Sequence, residues 1–163
     1  MTKLIFDCTG GVIQYNGNIS AMTWSKGFGH YGGQKGYKYN YDFLNRITAA
    51  NFQEFDAGWS NNNLRHNTTY GYDKNGNFSF LKRRDEDRTF VDNLSYDYGT
   101  NASRGNLLNK LSDSGNKNKG FIDATVSGNS YGYDVNGNLL LDKHKGIDSI
   151  RYNYMNLPEK VKF

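Results

Sequence analysis

The stretch YGYDVNGNLLLDKHKGIDSIRYNY, residues Tyr131–Tyr154, decides the fold. Read with period two, Tyr131 and Tyr133 share one side, a turn falls at Asp134-Val135-Asn136-Gly137, and the chain leaves through Leu139 and Leu141. That is a β-hairpin in sequence form. The second half repeats the alternation, with Asp148, Ile150, Tyr152 and Tyr154 on one face and Ser149, Arg151 and Asn153 on the other. A second strand unit therefore follows the first.

The same pair of patterns occurs earlier. YGYDKNGNFSFLK runs from Tyr70, and VDNLSYDY from Val91 matches IDSIRYNY from Ile147; a further copy has QYNGNIS from Gln14 and YNYDFLNRI from Tyr39. The Asn-Gly-Asn triplets begin at Asn16, Asn75 and Asn136, so they lie 59 (75 − 16) and 61 (136 − 75) residues apart. The paired tyrosines of the second pattern begin at Tyr39, Tyr96 and Tyr152, spaced by 57 (96 − 39) and 56 (152 − 96). Two independent markers advance in step, which makes the chain three copies of a two-hairpin unit, near 9–55, 68–112 and 121–163, within one domain. The repeat positions are Tyr39, Tyr41 and Asp42; Tyr70, Tyr72, Asp73, Gly76 and Asn77; Tyr96 and Tyr98; Tyr131, Tyr133, Asp134, Gly137 and Asn138; and Tyr152 and Tyr154.

YGYDKNGNF and YGYDVNGNL have the form Tyr-x-Tyr-Asp-x-x-Gly-Asn-apolar, and YNYDFLNRI the form Tyr-x-Tyr-Asp-x-Leu-Asn-Arg-apolar. This alternation resembles the YD repeat of the RHS family, most closely the RHS-type surface proteins of Bacteroides-like bacteria, over nearly the whole chain. The resemblance implies an exported or cell-surface protein whose hairpins form a curved, spiral-like sheet. In several branches of the family that sheet winds into a hollow shell enclosing a toxic C-terminal segment. The partners it implies are the remainder of a larger RHS polypeptide and, in those branches, the enclosed toxin segment. No aspartate-proline cleavage signature and no variable tail follow in this sequence, so cargo and processing parts are expected elsewhere, as is any export signal.

Composition agrees with an all-β reading. At 163 residues, a single domain buries roughly 70% of its unfolded surface. Hydrophobic residues make up only 36%, but 13 Tyr and 10 Phe concentrate the apolar matter in rings suited to strands. With 19 Gly and one Pro, the turns fall to Gly, Asn and Asp. The net charge of +4 is spread along the chain, and the densest basic run, Lys82-Arg83-Arg84, is followed by Asp85-Glu86-Asp87. Nucleic acid binding needs a basic patch, and none is expected here. Cys8 is alone, which excludes an intramolecular disulfide, and Leu4-Ile5-Phe6 is too short for a signal-peptide core. No apolar run approaches the roughly 20 residues of a membrane span.

The turns differ between copies. Asn16-Gly17 reads as a two-residue type I′ loop, with two loop residues lost, after a strand through Val12 and Ile13. Asp73–Gly76 and Asp134–Gly137 read as type I turns with the glycine in the left-handed region. Trp24–Gly36 and Asp56–Asn67 read as loops, Ile47–Phe55 as a return strand, and Asp113–Gly120 as a surface loop. A longer loop replaces the tight turn after Tyr98.

The repeated tyrosines are expected in the core, as cross-strand rings. Trp24, Tyr31 and Trp59 lie outside the repeat and are the candidate contacts for a cell-surface glycan. The Asp73 and Asp134 segments do not fit a calcium loop, because Phe78 and Leu139 stand where Gly is required. His30, His66 and His144 lack partners at metal-ligand spacing and are read as surface or packing residues, so no metal or cofactor is expected. No nucleophile elbow, phosphate loop or HExxH is present, and Asp92 and Asp148 recur with the repeat, which points to structural hydrogen bonds. The expectation is a non-catalytic scaffold or interaction module, with glycan binding as the alternative. Its open edge strands are expected to favour edge-to-edge self-association.

Overall fold

The computed structural model describes residues 2–5, 12–25, 33–55, 58–60, 64–99, 105–123 and 127–163. Its strands are β1 Thr2–Ile5, β2 Ala21–Ser25, β3 Gln34–Tyr41, β4 Ile47–Phe55, β5 Trp59–Ser60, β6 Thr68–Tyr72, β7 Phe78–Arg84, β8 Phe90–Asp97, β9 Lys110–Asp113, β10 Tyr131–Tyr133, β11 Leu139–Asp142, β12 Ser149–Tyr152 and β13 Pro158–Lys162. The protein is all-β and antiparallel, and its sheets are open. One nine-stranded sheet has the order β1-β2-β3-β4-β6-β7-β8-β9 with β5 on β4, and β10–β11 and β12–β13 form two-stranded sheets. The chain divides into two compact units, Met1–Gly71 with Leu81–Val91, and Tyr72–Phe80 with Asp92–Phe163. No helix among the described residues is long and apolar enough to cross a membrane.

One turn geometry recurs. The amides of Asp42, Asp73, Asp85, Asp134 and Asn153 each donate to the carbonyl four residues on, and their carbonyls each accept the amide three residues on. The fourth residue takes positive φ: Asn45 (61°), Gly76 (90°), Arg88 (71°), Gly137 (85°) and Asn156 (58°). This is a type I turn closed by a left-handed residue, as expected at Asp73 and Asp134. The strand register shifts at the same place in three hairpins, between Asn40 and Tyr41, Gly132 and Tyr133, and Arg151 and Tyr152. The residue next to each shift on the partner strand, Thr48, Leu140 or Glu159, is the bulge that lets the strands twist.

Turn positions also fix the repeat register. Asp97 accepts the Asn109 amide (2.8 Å) on its carbonyl and the Gly99 amide (2.8 Å) on Oδ1, so it stands where Asp42 and Asn153 stand. The equivalent tyrosines are therefore Tyr41, Tyr96 and Tyr152, spaced by 55 (96 − 41) and 56 (152 − 96), and Tyr39 corresponds to Ile150. Tyr154 is consequently not on the strand face with Tyr152 but at the tip of a turn, and Asp148 precedes β12 as an exposed residue.

The first copy departs from expectation in its first hairpin. Residues 12–20 form no strand, and of Asn16 and Gly17 only Gly17 has positive φ (87°), so no type I′ turn forms. Nothing is lost from the loop, since Ile13–Asn18 aligns with Tyr72–Asn77. Gln14 occupies the position of Asp73, and its amide turns back to the Val12 carbonyl (3.2 Å) instead of capping the turn. β2 pairs instead with β1 on one side and β3 on the other. Gly36 permits the second of these close approaches, because a Cβ there would lie 2.8 Å from the Met22 carbonyl oxygen.

Each unit has a small core with many polar members. In the first, Ala21, Ala50, Phe52 and Val91 are buried beside Ser20, Thr23, Gln53 and Asn67; in the second, Leu94 and Leu111 beside Asp92, Asp113 and Ser130. Such a core holds only if its polar groups are bonded. Asn67 does this where β4 and β6 part after two paired residues: its Oδ1 accepts the Phe52 amide (2.8 Å), and its own carbonyl accepts the Arg84 amide (2.9 Å). Asp123 plays the same part for the Asp113 amide (3.1 Å), and Asp92 for Phe121 (2.7 Å).

Two stability outcomes are expected. Asn67→Ala strands a buried amide and costs about 1–3 kcal/mol in urea denaturation. Gly137→Val costs about 1–2 kcal/mol or more because the left-handed region disfavours a β-branched side chain, whereas Gly137→Asn is nearly neutral, as Asn45 and Asn156 show.

Candidate functional site

The most regular chemistry on the molecule lies at the hairpin turns. In four of them a side-chain oxygen caps two backbone amides, while at the Asp85 turn Asp85 Oδ1 takes the Glu86 amide and Asp87 Oδ1 the Thr89 amide. Asp42 Oδ1 accepts from Leu44 (2.9 Å) and Arg46 (3.0 Å), Asp73 from Asn75 (2.8 Å) and Asn77 (2.9 Å), Asp134 from Asn136 (2.9 Å) and Asn138 (2.8 Å), and Asn153 from Met155 (2.9 Å) and Leu157 (3.1 Å). The second carboxylate oxygen takes the side chain four residues on: Arg46 Nε (2.7 Å), Asn77 Nδ2 (3.0 Å) or Asn138 Nδ2 (2.8 Å). The two motif forms, Asp-x-x-Gly-Asn and Asp-x-Leu-Asn-Arg, are thus two solutions to one bonding problem. The basic run resolves in the same way, since Arg84 lies 3.9 Å above the Phe90 ring and donates to the Arg88 carbonyl (2.6 Å).

Neighbouring turns are tied by asparagine side chains. Asn16 Nδ2 donates to Asn45 Oδ1 (2.5 Å), Asn77 Nδ2 to Asn106 Oδ1 (2.9 Å), and Asn138 and Asn136 Nδ2 to Asn156 Oδ1 (2.9 and 3.3 Å). Asn106, from the long loop of the second copy, fills the role of Asn45 and Asn156. At the tips the residue after the cap, or after Gln14 in the first copy, points outward: Tyr15, Phe43, Val135 and Tyr154 are each more than nine-tenths exposed. Sequence reasoning placed Val135 in its turn but missed the tips at Tyr15 and Tyr154, which it put on strands.

The strand tyrosines are structural but only half-buried. Tyr41 Oη donates to the Ile19 carbonyl (2.8 Å), Tyr152 to Leu139 (2.8 Å), Tyr133 to Leu108 (3.0 Å) and Tyr37 to His66 (3.1 Å), so each reaches a chain segment outside its own hairpin. Their rings join small clusters: Tyr37 with Trp24 (5.8 Å) and Phe52 (5.5 Å), and Phe78 with Tyr72 (5.1 Å) and Tyr96 (5.8 Å). Burial pushes the phenols of Tyr37, Tyr39, Tyr41, Tyr96, Tyr98 and Tyr133 upward. Burial, with the Asp142 carboxylate and neighbouring tyrosines, takes Tyr131 to about 12. The Asn77 and Asn138 side chains, with the capped amides, hold Asp73 and Asp134 below the usual carboxylate value. At Asp42 desolvation acts upward, but the Arg46 and Leu44 bonds outweigh it and the net direction is down.

The glycan candidates are not loop residues where they are described. Trp24 is in β2, packed on Tyr37 and Phe52, and Trp59 is in β5, its ring 5.4 Å from Phe55 and against Gly36. The sequence reading missed these short strands because neither belongs to the repeat. Tyr31 and His30 lie outside the described residues. His66 packs edge-on to Phe52 (5.0 Å). His144 is buried against Phe121 (5.0 Å) and Tyr131 (5.6 Å), with Nδ1 3.7 Å from Asp123 Oδ1. Among the described residues no group of three or more His, Cys, Asp or Glu could hold a metal ion.

Comparison with protein-family models, with curated proteins and with solved structures gave no match.

Stability should be bounded on both sides of pH. The capped carboxylates have folded values below 3.8, so their contribution is present above that pH and is lost as pH falls through the folded values. The phenols are raised above 10.0, so theirs is complete below pH 10 and is lost as pH climbs toward 12. Urea midpoints measured from pH 2 to 12 should therefore show a plateau that falls at both ends.

Proposed function

We propose that this chain is a non-catalytic structural module of an exported, RHS-type repeat protein, forming part of a curved β-wall. The observation that carries the reading is the repetition of one capped turn, at Asp42, Asp73, Asp134 and Asn153, with asparagine side chains bonding turn to turn at Asn16–Asn45, Asn77–Asn106 and Asn138–Asn156. Side chains that could act on a ligand are spent on the backbone: Asp42, Asp73 and Asp134 cap turns, Asp113 and Asn67 bond strand amides, and Asp92 bonds the Phe121 amide. That is the chemistry of a wall. Its partners in this reading are further hairpins of the same polypeptide, and its place is outside the producing cell or on its surface.

A second reading, binding of a cell-surface glycan, is favoured by the exposed tips. Tyr15 and Phe43 offer ring faces beside the Asn16–Asn45 amide pair. Rings with adjacent amides suit the C–H faces and hydroxyls of a sugar.

Two experiments separate the readings. Intact mass and peptide mapping of the native polypeptide, captured with an antibody to this segment, should find further tyrosine repeats beside it; a native product without them would overturn the wall reading. Calorimetric titration with cell-surface oligosaccharides should give no heat of binding, and a saturable signal abolished by Phe43→Ala would establish the glycan reading instead.

A further inference from the structure

Strand β13 repeats β4 residue for residue in its hairpin. Tyr41 pairs with Ile47 and Tyr152 with Pro158, Asn40 with Ala49 and Arg151 with Lys160, Tyr39 with Ala50 and Ile150 with Val161. By that register Phe163 stands where Phe52 stands. The environments of the two strands differ sharply. Ala50 is 8% exposed and Val161 43%, while Phe52 is 4% exposed and Phe163 77%.

The difference comes from the outer edge. On β4 that edge is taken by β6, through Ala49↔Thr69 and Ala50↔Thr68, and by Asn67 Oδ1 on the Phe52 amide (2.8 Å). On β9, the return strand of the second copy, the Asp113 amide is taken by Asp123 Oδ2 (3.1 Å), and the Asn109 carbonyl just before it by the Ser130 (2.8 Å) and Tyr131 (3.1 Å) amides. β13 pairs with β12 alone, and all five of its residues are exposed. The Lys162 carbonyl points inward, where it accepts the Asp148 amide (2.9 Å), so by strand alternation the groups of Val161 and Phe163 point out.

We infer that the outer edge of β13 is a docking surface for the leading strand of another hairpin of this repeat, a strand of the type Asn67-Thr68-Thr69-Tyr70-Gly71-Tyr72. Its register is fixed by β4 and β6. Val161 faces the first threonine, Lys160 the second, and the leading asparagine caps the Phe163 amide. The occupant would cover Val161 and Phe163 as β6 and its neighbours cover Ala50 and Phe52. An added strand draws its affinity from main-chain bonds and its register from alternate side chains. The identity of the occupant rests on the wall reading above, but the surface itself rests on the comparison of β13 with β4.

The test uses the whole chain and a labelled synthetic peptide of residues 66–84, which carries that strand with its own turn and return strand. Fluorescence anisotropy should show saturable one-to-one binding. Val161→Pro removes an outward amide without touching the β12 bonds and should weaken binding at least about tenfold, with the circular dichroism spectrum unchanged. A peptide with Thr68→Pro should bind no better than a scrambled one. Absence of binding to a monomeric, folded chain overturns the inference, as does binding that Val161→Pro leaves intact. Dimers in sedimentation that Val161→Pro dissolves would overturn this occupant and put a second copy of the chain there. None of these results bears on whether the native polypeptide contains further repeats, so the wall reading stands or falls separately.

Discussion

The structure depends on one oxygen atom, repeated. At Asp42, Asp73, Asp134 and Asn153 a side-chain Oδ1 holds the amides two and four residues on, and so fixes a left-handed residue between them. Without it, a type I turn with two exposed amides and a positive φ has little to favour it over open loop conformers. Gln14 supplies the natural comparison. Where the carboxylate is replaced by a longer amide that folds back on Val12, the flanking residues do not form a hairpin.

The cap also explains how a thin sheet stays ordered with so little apolar burial. Arg46, Asn77 and Asn138 return to the cap's second oxygen, and Asn77 and Asn138 reach onward to Asn106 and Asn156. Tyrosine hydroxyls make a second set of links, to Ile19, Leu108 and Leu139. A tyrosine is suited to this because its ring covers apolar surface while its hydroxyl reaches a carbonyl at the far side. These capped turns are thereby fastened to neighbouring segments by asparagine amides at the tip and by tyrosine hydroxyls on the face.

The all-β antiparallel class and the turns at Asp73 and Asp134 were legible because turn chemistry is local: Asp at the first position and Gly at the fourth state the geometry outright. The tyrosine register was not. Tyr39 and Tyr41 look alike in an alternating run, and only the cap at Asp42 shows that Tyr41 corresponds to Tyr96 and Tyr152. β1 and the two-residue β5 were illegible for different reasons, since β1 meets β2 across a long connection rather than a tight turn and β5 adds only two residues to the end of β4. Asn67 was hidden at the end of a segment that reads as an ordinary polar loop and Asp123 at the start of the third copy, because a single side chain bonding a distant strand amide leaves no periodic trace. The exposed tips were misplaced with the register, as Tyr154 shows.

Amide hydrogen exchange at the turns tests the capping claim most directly. The amides of Arg46, Asn77, Asn138 and Leu157 sit in turns next to exposed tips, where an uncapped amide exchanges at close to the free-chain rate. If side-chain oxygens hold these turns, all four exchange as slowly as the strand amides beside them, and each speeds toward the free-chain rate when its cap is replaced by alanine. Rates at those four positions that alanine at the cap leaves unchanged would contradict the account, and would mean that the strands alone hold the hairpins.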